Sequence, residues 1–173
     1  SFHVRAGERV ALVGHTGAGK TSVANLVARF YEPQEGTIRY DGREARTVAS
    51  AALHAQTGIV LQESFLFGGT VLENLRFVRP DITEAEALEG FRALGCEGVL
   101  AGFSGGLSTD VGERGANLSE GERQIVCFVR ALLARPSILI LDEATSAVDT
   151  QTEATILRAL NAVNADIISS GRT

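Results

Sequence analysis

Four groups of residues in this chain have types and spacings suited to chemistry on a phosphate. Gly14-His15-Thr16-Gly17-Ala18-Gly19-Lys20-Thr21 packs three glycines, a lysine and two hydroxyls into eight positions, with Ser22 next. Glycines let backbone N–H groups wrap phosphate oxygens, Lys20 would neutralise the β- and γ-phosphates, and Thr21 would hold magnesium. A glycine-rich turn of this kind can also be purely structural. Ile138-Leu139-Ile140-Leu141 feeds Asp142-Glu143. At the carboxyl end of a strand beside the loop, Asp142 suits a magnesium shell and Glu143 the activation of an attacking water; the alternative is a helix cap or a solvated pair. Gln62 follows the apolar run Gly58 to Leu61 and could sense the γ-phosphate through water or metal, although a lone glutamine is more often a surface residue. Ser119-Glu120-Gly121-Glu122 reads as a capping box, a hydroxyl followed three residues later by a carboxylate. The same helix start would turn N–H donors and positive partial charge toward an anion.

These groups need strands and helices to hold them. Val10 to Val13 is a short apolar run ending in glycine, the pattern of a buried parallel strand. A helix is expected from the glycine loop to about Phe30. Thr37 to Tyr40 is strand-like, and Asp41-Gly42 signals a tight turn into a small antiparallel piece. Gly58 to Leu61 reads as a second buried strand. From about 64 to 117 the character changes to helices separated by glycine-rich loops, with capping boxes at Thr70/Glu73 and Thr83/Glu86; Gly102 to Gly115 is too glycine-rich for helix. A helix then runs from Ser119 to about Ala134, Pro136 ends it, Ile138 to Leu141 is a strand, and 150–163 is again helical. The alternation implies an α/β layer structure with a mostly parallel sheet.

Composition agrees with one domain. The 173 residues carry 45% hydrophobic side chains, enough for a real core, and a net charge of −5. Every basic residue except Lys20 is an arginine, scattered without a run or stripe, which argues against nucleic acid as the main partner. No apolar run approaches the roughly 20 residues that span a bilayer. Cys96 and Cys127 read as packing residues in a reduced compartment. The start at Ser1 and the stop at Thr173, soon after an apolar run begins at Ile167, look like cuts from something longer.

Taken together, the loop at Gly14, Gln62, Leu118-Ser119-Glu120-Gly121-Glu122-Arg123-Gln124, Asp142-Glu143 and Ser146-Ala147-Val148-Asp149 resemble, in order and spacing, the nucleotide-binding domain of ABC transporters. The resemblance covers nearly the whole chain. It implies a P-loop NTPase (RecA-like) core, about 1–63 and 118–173, around an inserted helical subdomain, about 64–117. It also implies ATP and magnesium as ligands. Gln62 becomes the Q-loop residue, with Lys20, Glu143 and Gln62 in the catalytic set and Thr21, Gln62 and Asp142 around the metal. Two such domains pair head to tail, so Ser119, Glu120, Gly121, Glu122 and Asp149 would serve ATP on the partner domain.

Thr109 to Gly115 resembles the X-loop of exporter-type members, and Ser64 to Asn74 the segment after their Q-loop. The resemblance implies that a transmembrane domain, fused upstream, meets 62–70 and 109–115, on the cytoplasmic face of a membrane. Phe65 to Phe67 would then pack on that partner; the alternative is a hydrophobic cluster under a loop. The Leu118 to Gln124 stretch resembles the family's signature motif but departs from its Leu-Ser-Gly-Gly-Gln at Glu120 and Glu122, two carboxylates that oppose phosphate unless they point away. By the resemblance, an adenine-stacking aromatic would lie upstream of Ser1 and a switch histidine past Thr173, and His3, His15 and His54 lie in the wrong places to replace the histidine. The isolated fragment is therefore expected to bind ATP weakly and turn over little. Rival readings are a non-transport ABC ATPase, associated with DNA repair, chromosomes or ribosomes, and a regulatory ATP-binding module with little catalysis.

Overall fold

The computed structural model describes residues 1–15, 17–60, 64–142 and 150, together with the strand backbone of 166–171. Numbered in chain order, its strands are β1 (Arg9–Val13), β2 (Arg39–Tyr40), β3 (Arg43–Glu44), β4 (Thr57–Val60), β5 (Ile138–Asp142) and β6 (Asp166–Gly171). β1, β6, β5 and β4 lie side by side in that order, all parallel. β2 and β3 form a separate antiparallel hairpin. Its turn holds Asp41 at φ 49° and Gly42 at φ 78°, the left-handed pair that two-residue hairpins favour.

Side-chain alternation along β4 and β5 separates two layers. Ile138, Ile140 and Ile59 meet Ala24, Val27 and Ala28 of the first helix region, α1 (Lys20–Val27) with its cap. Val60, Leu139 and Leu141 belong to a larger core on the opposite face. The small side chains of Ala24 and Ala28 let α1 lie close to the sheet. α1 ends with Phe30 N–H bonded to the Asn25 carbonyl and Arg29 N–H to that of Leu26, with Arg29 at φ 56°. This is a Schellman stop in which arginine stands where glycine is usual.

A short α2 (Ser50–His54) precedes β4, and α3 (Val71–Arg76), α4 (Glu84–Ala93) and α5 (Glu97–Gly102) follow it. The long α6 (Glu120–Leu133) is central: Gln124 to Val129 and Ala131 are all buried. One face of α6 covers the sheet and the others receive α3 and α4, so residues from 60 to 141 share a single core. α4 approaches α6 at Gly90, where an added Cβ would stand 3.0 Å from Val129 Cγ1 and 3.2 Å from Leu133 Cδ2.

Several expectations change. β1 is half exposed instead of buried, with Val13 at 65% exposure, because it has β6 on one side and pairs with no other described strand. The strand expected over Thr37 to Tyr40 shrinks to Arg39–Tyr40. Within Gly102 to Gly115 two 3₁₀ turns form, Gly106–Ser108 and Glu113–Gly115. The helix expected over 150–163 falls, beyond Thr150, outside the described residues.

Candidate nucleotide site

All four parallel strands point their carboxyl ends to one edge, where ligands collect in open α/β sheets. Register places Leu12 level with Ser170, and Ser170 level with Asp142. Gly14 therefore begins its loop one residue past the end of β1, on the edge where Asp142 ends β5. β6 lies between β1 and β5. Two strand spacings set the backbones about 10 Å apart, a gap wide enough for a metal and phosphate oxygens.

The loop itself fits an anion. Gly17 and Gly19 adopt φ of 85° and 88°, and no atom lies within 4 Å of where either Cβ would stand. Gly19 is the N-cap of α1 in a left-handed conformation, with no side-chain cap and no acidic residue in the first turn. The unpaired N–H groups that begin every helix are thus turned into the loop without a built-in competitor. Lys20 folds over the loop, its ammonium donating to the Gly14 carbonyl at 2.8 Å and the His15 carbonyl at 3.3 Å. Ala18 N–H closes the turn on His15 at 3.1 Å. Thr21 and Ser22, at the start of α1, are exposed.

Asp142 is 4% exposed. A carboxylate is a hard oxygen donor of the kind magnesium takes, and its place at the end of β5, on the edge that carries the loop, fits a magnesium role. Gln62, Glu143, Asp149 and Thr16 lie outside the described residues; Gln62 follows β4 by two positions and Glu143 follows Asp142 directly.

The family model for ABC transporters matches residues 1–146. This chain belongs to the ABC transporter family. Among its relatives are an uncharacterized ABC transporter ATP-binding protein, YknV, of Bacillus subtilis, 48% identical over 92% of this chain and 26% of that protein. A probable multidrug resistance ABC transporter ATP-binding/permease protein, YheH, of the same organism is 44% identical over 100% of this chain and 25% of that protein. The solved structure of a bacterial Atm1-family ABC exporter with ATP bound matches at TM-score 0.93 and 42% identity, covering 99% of this chain and 30% of that one. The chain spans about a quarter of the length of these curated relatives, and its fold is that of an exporter nucleotide-binding domain.

In this ABC domain the signature stretch starts α6. Ser119 is the N-cap, and the capping box is complete: Glu122 N–H donates to Ser119 Oγ at 3.3 Å, while Ser119 N–H and Oγ–H both donate to Glu122 Oε2 at 2.7 Å. Glu122 thus takes up both the hydroxyl and the backbone amide of Ser119. Arg123 does not neutralise it, because the described ion pairs include none between Arg123 and Glu120 or Glu122. Its guanidinium instead donates to the Leu118 carbonyl at 2.6 Å and the Gly115 carbonyl at 3.4 Å.

The segment after β4 splits by alternation. Leu66 is fully buried, whereas Phe65, Phe67 and Phe77 are 46%, 38% and 62% exposed. Phe67 meets Phe65 edge-on at 5.0 Å and stacks on Phe77 at 3.9 Å. Beneath them sits Asn74, 1% exposed, whose amide oxygen accepts from Phe67 N–H at 2.8 Å and whose NH₂ donates to the carbonyls of Phe67 at 2.9 Å and Thr70 at 3.0 Å. Sequence reasoning gave Asn74 no role of its own. Its signal was a lone amide one residue after the capping Glu73, on an otherwise apolar helix face.

Charge in this region is capped as designed by the hydroxyl-carboxylate pairs. Thr70 N–H and hydroxyl bonds hold the Glu73 carboxyl below its ordinary range. The Thr83 backbone bond does the same for Glu86, helped by the Arg79 guanidinium. Burial pushes the Cys127 thiol up, and Cys96 and Cys127, both buried, are in no disulfide.

Proposed function

We propose that this domain binds ATP on the Gly14–Thr21 loop and hydrolyses it to ADP and phosphate when two such domains pair head to tail, driving export of a substrate. The observation that supports this reading best is the shared edge: an uncapped, acid-free helix start carrying Lys20, opposite the buried carboxylate of Asp142. Lys20, Ala18 and the glycines bind and orient the phosphates, with His15, Thr16 and Ser22 completing the loop. Thr21, Asp142 and Gln62 would hold magnesium, which supplies positive charge against the phosphate oxygens.

Glu143 accepts a proton from the attacking water as the water oxygen bonds to the γ-phosphorus and the bond to the β-phosphate oxygen breaks, leaving ADP. Ser119, Gly121 and Asp149 close on the nucleotide of the partner domain, with Glu120 and Glu122 beside them. Because such transfer is mostly positioning and charge stabilisation, closure of the two domains sets the rate.

The exposed aromatics at 65, 67 and 77 and the neighbouring 109–115 loop receive a transmembrane domain of the same polypeptide, with the nucleotide core at 1–63 and 118–173 and the helical part at 64–117. The domain then works on the cytoplasmic face of a membrane. In the full-length protein, Lys20→Ala is expected to abolish turnover and weaken nucleotide binding. Ser119→Ala is expected to abolish turnover while leaving nucleotide affinity within about twofold. Full turnover by either variant refutes the assignment.

A further inference from the structure

The arginine that follows the signature carboxylates is placed oddly for its charge. Arg123 sits in the first turn of α6, where a cation opposes the helix dipole, and it ignores the two carboxylates beside it. Its side chain runs back toward the helix start, as helical side chains do, and ends on the carbonyls of Leu118 and Gly115. The stem lies flat on Gly115, where a Cβ would stand 2.5 Å from Arg123 Cδ and 3.0 Å from Cγ. Gly115 is also at φ 81°, so both its conformation and the arginine require glycine.

The two carbonyls bracket the chain that delivers Ser119. Leu118 N–H donates to Gly115 at 3.0 Å, closing the turn immediately before the N-cap. Upstream, the loop is tied to the segment under the aromatic patch: Val111 N–H donates to Gly69 at 2.8 Å, Val71 N–H to Thr109 at 3.0 Å, and Asn117 N–H to Val111 at 3.0 Å. Arg123 ties the end of this backbone ladder to α6.

We propose that Arg123 is a positioning residue for hydrolysis of ATP held by the partner domain, fixing the Gly115–Leu118 turn so that Ser119 and the first N–H groups of α6 face the γ-phosphate. This rests on the signature reading given above. Arg123 touches no reacting atom; it acts through the turn. Loss of a charge-assisted bond to backbone leaves the Leu118 carbonyl to wander, and transition-state placement suffers before nucleotide binding does.

The test compares the full-length protein with its Arg123→Met, Arg123→Lys, Gly115→Ala and Ser119→Ala variants, measuring kcat, KM for ATP, nucleotide affinity and unfolding temperature without nucleotide. Arg123→Met and Gly115→Ala are expected to lower kcat about tenfold or more, with nucleotide affinity within twofold of the parent. Arg123→Lys, whose ammonium can still donate to one carbonyl, is expected to recover most of that loss. Turnover of Arg123→Met within twofold of the parent overturns the inference. So does an equal loss in the Lys and Met variants that tracks a fall in unfolding temperature, which makes the arginine only structural. If Ser119→Ala is itself silent, the signature reading fails and this inference with it; if Ser119→Ala is dead and Arg123→Met active, only this inference fails.

Discussion

Asn74 offers the sharpest quantitative expectation, because one buried amide holds three backbone groups of the segment that carries the exposed aromatics. Asn74→Ala removes the bonds to Phe67 N–H, Phe67 carbonyl and Thr70 carbonyl. At about 1 kcal/mol for each bond the loss is about 3 kcal/mol, within a range of about 2–4 kcal/mol since water can reach some of the freed groups near half-exposed Phe67. For a domain of this size that lowers the unfolding midpoint by about 6–12 °C. Asn74→Asp keeps the acceptor for Phe67 N–H but loses both donors and sets a carboxylate against two carbonyls at a site 1% exposed, so it must be worse than alanine. Urea and thermal unfolding at neutral pH give both numbers. A midpoint for Asn74→Ala within 2 °C of the parent, or Asn74→Asp more stable than Asn74→Ala, refutes the reasoning.

Two other expectations follow from charged caps. Glu86 has a folded pKa held below its unfolded value, so its stabilisation is fully present above about pH 4.3 and is lost as pH falls through the lower folded value. Glu86→Gln is therefore less stable than the parent at pH 7, and the gap narrows in acid, as stability curves between pH 2 and 7 would show. At the signature, Glu122→Gln removes one anion beside the phosphate position and frees Ser119 from a carboxylate acceptor. ATP-driven association of the domains should tighten by about two- to fivefold per site, from about 0.3–1 kcal/mol of relieved repulsion, while the helix cap loses a similar amount in unfolding measurements. Weaker association in sedimentation experiments contradicts this.

The phosphate loop was legible because its glycines, lysine and hydroxyl each answer one requirement of a bound polyphosphate, and the capping boxes because a hydroxyl and a carboxylate three residues apart have few other uses. Each of the three boxes forms with both reciprocal bonds. Strand order was not legible: Ile138 to Leu141 reads the same whether β1 or β6 lies beside it, and only register places β6 between. Burial of β1 was misjudged for a related reason, since an apolar run does not say how many neighbours its strand has. The side chains of Asn74 and Arg123 were hidden because their partners are backbone groups, which leave no mark in a sequence.

The central claim is that ATP bound by Gly14 to Thr21 of one domain is closed by Ser119 of the other. A disulfide trap measures this directly: Ala18→Cys and Ser119→Cys in the full-length protein carrying Glu143→Gln to retard hydrolysis, with Cys96 and Cys127 buried. The account predicts a cross-link between two polypeptides that forms on adding ATP and magnesium and not without them. A cross-link confined to one polypeptide, or one between polypeptides that ATP does not promote, would contradict it.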